Sequence, residues 1–133
     1  MLRVAFEDSA FAMVCHLRGN LEQATADQFR EAIAQLTDKR EVIFELSAVP
    51  FVDSAGLGAL IGTIRRIHEN GGDSVVCGAR PSVSKVFQII GLDRIVTIVD
   101  NVDQAGDALR SRYPDPPNGA ACLGPGRDFI PPG

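Results

Sequence analysis

Apolar and polar positions follow two rhythms along this chain. Short apolar runs at residues 2–6 and 11–17 flank the turn-forming stretch Glu7-Asp8-Ser9-Ala10, and Gly19-Asn20 closes the second run, which reads as an antiparallel hairpin. From Glu22 to about Thr37 the rhythm becomes helical. Ala26, Phe29, Ile33 and Leu36 recur at helical spacing, while Thr25, Asp27, Gln28, Arg30 and Glu31 occupy the other face. Glu41 to Leu46 is β-branched and aromatic, a strand, and Pro50 then imposes an extended conformation on Val49. The next helix runs from about Ser54 to Asn70, with Leu57, Leu60, Ile61, Ile64 and Ile67 in one stripe and Thr63, Arg65, Arg66 and Glu69 opposite. Asn70-Gly71-Gly72 stops it, because glycine accepts the left-handed conformation that helix ends often need. A strand at Ser74–Gly78 follows. Pro81 opens a third helix striped by Val83, Val86, Phe87 and Ile90 and ended by Gly91. A strand at Arg94–Val99 and a helix from Asn101 to about Arg112, striped by Val102, Ala105 and Leu109, complete the pattern.

The order is β-β-α-β-α-β-α-β-α. Strands that alternate with helices predict an α/β fold with a mixed, mostly parallel sheet, the hairpin supplying the antiparallel pair. Residues 1–112 then make one domain with a single modest core. Residues 113–133 hold Pro114, Pro116, Pro117, Pro125, Pro131 and Pro132 among several glycines, and are expected to form a flexible tail.

Charge and cysteine usage narrow the partners. The net charge of −4 leaves no basic stripe to neutralise phosphates, so neither direct nucleic-acid binding nor an anionic membrane surface is expected. Arg65-Arg66 is an isolated pair on a solvated helix face. No signal peptide is visible and no apolar run reaches the roughly 20 residues of a membrane helix, so a cytoplasmic location is expected. The three cysteines, Cys15, Cys77 and Cys122, lack metal-ligand spacing, and the first two read as small buried hydrophobes.

The chemistry concentrates at Asp53-Ser54-Ala55-Gly56, where a strand gives way to the long helix. The first backbone N–H groups of a helix are unpaired and carry positive partial charge. Asp53 is a natural N-cap for them, which leaves Ser54 in the first turn with almost no side-chain bulk around it. A phosphate on Ser54 would bring close to two negative charges that a helix N-terminus tolerates but an apolar partner surface does not.

Several chemistries compete for the same residues. As structure alone, Asp53-Ser54 is a cap, and Gly56 and Gly58 permit close helix–sheet packing. Gly56-Leu-Gly58 followed by Gly62 misses the dinucleotide fingerprint by one residue. Val52-Asp-Ser-Ala-Gly56 has only the second glycine of a hydrolase elbow. Of the two histidines, His16 lies in a strand, and His68 is roughly 20 Å from Ser54 along one helix at 1.5 Å per residue, too far to act as its base. No clustered ligand set suggests a metal.

Asp53-Ser-Ala-Gly-Leu-Gly58, followed by an apolar helix and Gly71-Gly72, resembles the signature of the STAS domain family, most closely its single-domain bacterial anti-sigma factor antagonists. Gly19-Asn-Leu-Glu22 is similar to that family's Gly-acidic-aliphatic-Asp motif, and Val86-Phe-Gln-Ile-Ile-Gly-Leu92 to the end of its third helix. The resemblance covers about residues 1–112. It implies a STAS fold and a non-enzymatic switch: an antagonist that binds an anti-sigma factor, itself a GHKL-type serine kinase. Phosphorylation of the antagonist ends the complex, and a PP2C-type phosphatase reverses it. ATP and Mg²⁺ belong to the kinase, so the chain itself would need no cofactor. By this resemblance Ser54 is the phosphate acceptor and Asp53 its cap. Ala55, Gly56, Leu57 and Gly58 form a low-profile docking surface, with Asn20 and Glu22 at its rim. Many family members carry a second hydroxyl where this chain has Ala55, so Ser54 is the sole hydroxyl of the motif. Asn20 and Glu22 replace the usual acidic residue and Asp of the first motif. The alternative is a STAS scaffold or ligand-sensing module with no phosphorylation cycle.

Overall fold

The computed structural model describes residues 2–9, 12–36 and 41–112. In chain order the elements are β1 (Arg3–Asp8), β2 (Met13–Arg18), α1 (Gln23–Ala34), β3 (Glu41–Ala48), α2 (Ser54–Glu69), β4 (Asp73–Cys77), α3 (Pro81–Ile90), β5 (Thr97–Val99) and α4 (Val102–Arg112), with a short 3-10 turn at Leu92–Arg94 before β5. The five strands lie side by side in sequence order. β1 pairs antiparallel with β2, and every other neighbouring pair is parallel. The α/β class and the element order are those the sequence pattern predicts. The Pro/Gly-rich tail lies outside the described residues.

Strand periodicity divides the core between the two sheet faces. Cys15, Leu17, Val42, Phe44, Leu46 and Val76 point to one face, where they meet Ala26, Phe29 and Ile33 of α1, Leu57, Leu60 and Ile64 of α2, and Val83 and Phe87 of α3. Val14, Ile43, Val75 and Cys77 point to the other, where Ala105 and Leu109 of α4 cover them. Three helices thus pack on one face and one on the other. Phe29 and Phe44 meet with ring centroids 6.1 Å apart, a tilted aromatic contact between α1 and the central strand.

The strand positions of the cysteines settle their chemistry. Cys15 and Cys77 face opposite sides of the sheet and their strands are separated by β3, about 10 Å at the usual inter-strand spacing. That exceeds the Cα separation of about 7 Å a disulfide can span. Burial pushes each thiol up to about 12, and for Cys77 the Glu45 carboxylate adds to it, so both stay protonated at neutral pH. Cys122 lies outside the described residues.

Several local expectations change. Glu7 and Asp8, expected in the hairpin turn, extend β1 and pair with Val14 and Met13. An edge strand that is mostly exposed accepts acidic side chains without burying them. The strand expected over Arg94–Val99 shrinks to Thr97–Val99. Gly91, at φ 73°, ends α3, and the chain coils through the 3-10 turn, which buries Leu92. Thr25 and Thr63, expected on polar faces, are buried. α1 and α2 pack on each other as well as on the sheet, so their buried arcs are wider than one stripe. Ile90, expected in the α3 stripe, is 44% exposed, and its neighbour Ile89 is more so. α1 ends at Ala34, short of the expected Thr37.

Candidate functional site at a junction of two helix N-termini

Two connecting loops build the site. The β2–α1 loop turns at Gly19, where φ is 111°, and its amide donates to the Ala48 carbonyl at 3.0 Å. Leu21 donates to the Phe51 carbonyl at 3.0 Å, and Asp53 donates back to the Leu21 carbonyl at 3.2 Å. An isolated parallel bridge joins Leu21 to Val52. Leu21 and Val52 are both buried, so the two loops are zipped by backbone bonds over an apolar seam. Consequently α1 and α2 begin side by side.

Asp53 ties the two starts together. Its Oδ1 accepts the Gly56 amide of α2 at 2.8 Å, and its Oδ2 accepts the Gln23 amide, the first residue of α1, at 3.0 Å. One carboxylate therefore serves the N-termini of both helices. These amide bonds, Gly56 first and Gln23 second, hold the Asp53 carboxyl below the usual carboxylate range. On the α1 side, the Thr25 hydroxyl accepts the Glu22 amide at 3.0 Å and donates to the Asn20 carbonyl at 2.7 Å. Asn20 Nδ2 reaches Glu22 Oε2 at 3.4 Å. Burial of Thr25, unexpected from the sequence, is thus what shapes the rim.

The sequence-derived site residues separate into two groups. Ser54, the first residue of α2, and Gly58, one turn on, are exposed; Asn20, Glu22, Asp53 and Ala55 are half-buried around them. Gly56 and Leu57 face inward. A methyl group at Gly56 would overlap the Leu21 carbonyl oxygen and stand 2.8 Å from the Glu22 nitrogen, so its missing side chain is what lets the loops close. Leu57 packs in the core among the α1 and sheet side chains. Both support the surface from beneath, because a residue turned into the core has no area left for a partner. Gly58 is the reverse: a methyl there would meet nothing within 4 Å. Its smallness does nothing for helix–sheet packing.

Two further participants lie outside the sequence motifs. Phe51 is 48% exposed beside the junction, flanked by buried Val49 and Val52. No periodicity announces it, because Pro50 and Phe51 are both exposed between the buried Val49 and Val52. Gln23 contributes only a backbone amide, which no side-chain pattern announces.

Neither imidazole is placed to take a proton from Ser54. His16 lies on the α4 face of the sheet, between Glu7 at 2.8 Å and Glu45 at 3.8 Å. His68 sits in the last turn of α2, its Nε2 3.2 Å from Ser74 Oγ and 3.4 Å from Asp73. Among the described residues no group of three ligating side chains would hold a metal, and no helix is long and apolar enough to cross a membrane.

The model of the STAS domain family matches residues 3–105. The chain belongs to the STAS domain family. It is similar to the anti-sigma F factor antagonist of Paenibacillus polymyxa, 29% identical over 103 residues, which is 75% of this chain and 88% of that protein. Its fold matches the crystal structure of an anti-sigma factor antagonist from Mycobacterium paratuberculosis with a TM-score of 0.75 and 25% identity, over 83% of this chain and 95% of the other. It also matches the Bacillus cell fate determinant SpoIIAA in its phosphorylated form, with a TM-score of 0.63 and 24% identity, over 81% and 100% of the two chains. In this chain the shared-cap junction lies at the start of α2, where the Asp53–Gly58 motif lies.

Proposed function

We propose that this STAS domain is an anti-sigma factor antagonist that docks on a GHKL-type serine kinase through the junction and is released when Ser54 is phosphorylated. The observation that carries the reading is the exposed Ser54 hydroxyl on a helix start whose cap, Asp53, also holds the start of α1. Asn20, Glu22 and Ser54 thereby belong to one rigid surface. In the proposed step the Ser54 oxygen takes the γ-phosphoryl group of the kinase's ATP, and ADP and the hydroxyl proton leave. The new dianion stands next to the ionised Asp53, on a surface of small side chains that already carries the Asp53 and Glu22 carboxylates. Its charge and hydration oppose re-docking, while the helix N-terminus tolerates it. A PP2C-type phosphatase would restore the hydroxyl. In this reading the chain is substrate and ligand rather than enzyme, it works in the cytoplasm, and it carries no cofactor of its own. The relatives named as antagonists, and the existence of a phosphorylated form of SpoIIAA, support it.

Intact mass after incubation with the cognate kinase and ATP tests the proposal. One added phosphate, absent in Ser54→Ala, is the expected result. No mass gain with any co-encoded kinase would instead make this chain a STAS scaffold that binds without a phosphorylation cycle.

A further inference from the structure

A second concavity lies away from Ser54, and the topology explains why it exists. After β4 the chain crosses through α3 to the face that α1 and α2 cover, where Val83 and Phe87 are buried. After β5 it leaves through α4 to the opposite face, where Ala105 and Leu109 are buried. The connections diverge at the carboxyl ends of these adjacent parallel strands, and a crevice must open between them. In open α/β sheets this switch point is where ligands bind, because loops diverge there and leave backbone groups and side chains facing a common space. Here the crevice is about 400 Å³, within the range of about 300–1,000 Å³ for small-molecule sites. The Gly78 amide bonds the Val99 carbonyl at 3.3 Å and joins its two walls.

The lining states the chemistry of the occupant. Ala79, Phe87, Ile98 and Val99 give an apolar floor, Ser84 and Gln88 add hydrogen-bonding groups, and among the described residues Asp93 and Asp100 are the only charged ones on it. Among the described residues, neither carboxylate has an ion-pair partner. We propose that the β4–β5 crevice binds a small organic cation, an ammonium group on a compact apolar body. The body lies against Phe87 and Ile98, and the ammonium faces the rim that carries Asp93, before β5, and Asp100, after it. This site is independent of Ser54 and of the phosphorylation reading.

Benzylammonium is the probe, with benzyl alcohol and benzoate as neutral and anionic counterparts, titrated into the full chain and followed by backbone-amide NMR. For a ligand this small the expected Kd is about millimolar. Saturable shifts should centre on Gly78, Ala79, Ser84, Gln88 and Asp100. Benzyl alcohol should bind several-fold more weakly, and benzoate should not saturate. In Asp93→Asn and Asp100→Asn the benzylammonium Kd should rise about three- to fivefold each, as expected for exposed charge pairs. Saturation elsewhere, no saturation, or equal affinity for the three probes would overturn the assignment. So would an unchanged Kd in both variants with spectra that remain folded. If a variant fails to fold, the ranking of the three probes on the unmodified chain decides.

Discussion

The two ends of α2 are built in opposite ways. The C-terminal end closes on itself: Gly71, at φ 86°, donates to His68 and Gly72 donates to Ile67, the paired bonds of a Schellman ending. Every group involved lies within a few residues. At the N-terminal end, the cap's second oxygen is committed to Gln23, a residue 30 positions earlier, and the seam under it is made by Leu21 and Val52. A locally closed end tolerates change without consequence elsewhere. An end shared with another helix transmits change, and that is the end at which the exposed hydroxyl stands.

Glycine substitutions break this comparison most sharply. Gly56→Ala pushes a methyl into the Leu21 carbonyl, and since backbone rather than a flexible side chain stands in the way, the loops must part. Destabilisation of about 3 kcal/mol or more is expected in urea unfolding, with loss of binding to the proposed kinase partner. Gly71→Ala strains a left-handed residue and is expected to cost about 1 kcal/mol, with kinase binding unchanged. If it weakens binding as much as Gly56→Ala does, the two ends are not functionally distinct. Gly58→Ala should have the opposite sign. The position is helical and open, so alanine gains about 0.5–1 kcal/mol, while the added methyl on the exposed face weakens kinase binding. A stabilised variant with undiminished affinity would remove Gly58 from the docking surface.

Charge at the shared cap gives smaller effects. Asp53→Asn should lower the melting temperature by several degrees at neutral pH and weaken the α1 contact as well as the α2 cap. The Asp53 carboxyl lies below its ordinary value of about 4 in the folded protein, so it contributes stability that is fully present above that value. The contribution fades as pH falls through the lower, folded value. The stability gap between the native chain and Asp53→Asn should therefore close on acidification, and a gap that widens would show the carboxylate is not held by those amides. Smallest of all, Ser54→Asp should melt within a degree or so of the unmodified chain, because the side chain is exposed and the helix start accepts an anion. It should nonetheless fail to bind the kinase; full affinity would count against release by charge.

Element type and order were legible because they rest on short-range periodicity. The stripes Ala26/Phe29/Ile33 and Leu57/Leu60/Ile64, with Gly71-Gly72 and Gly91 as stops, announce helices from the sequence alone. The β5 boundary differs from the sequence pattern because an apolar run such as Ile95-Val-Thr-Ile-Val99 buries equally well in a coil that follows a left-handed glycine. The candidate site was half legible. Asp53 as cap and Ser54 as the displayed hydroxyl follow from the chemistry of helix starts. The burial of Thr25 and the exposure of Phe51 do not, since each depends on which neighbour arrives.

By itself, then, the sequence determined that a mixed α/β sheet forms and that a bare hydroxyl stands at one helix start. Only the tertiary structure decided that the same carboxylate caps a second helix, that Gly56 and Leu57 lie beneath the surface while Gly58 lies on it, and that a crevice opens between β4 and β5. The physical reason is range. Helix and strand propensity are set within a few residues, whereas a shared cap, a forbidden methyl and a switch-point crevice exist only once distant backbone segments have been brought together by a common core.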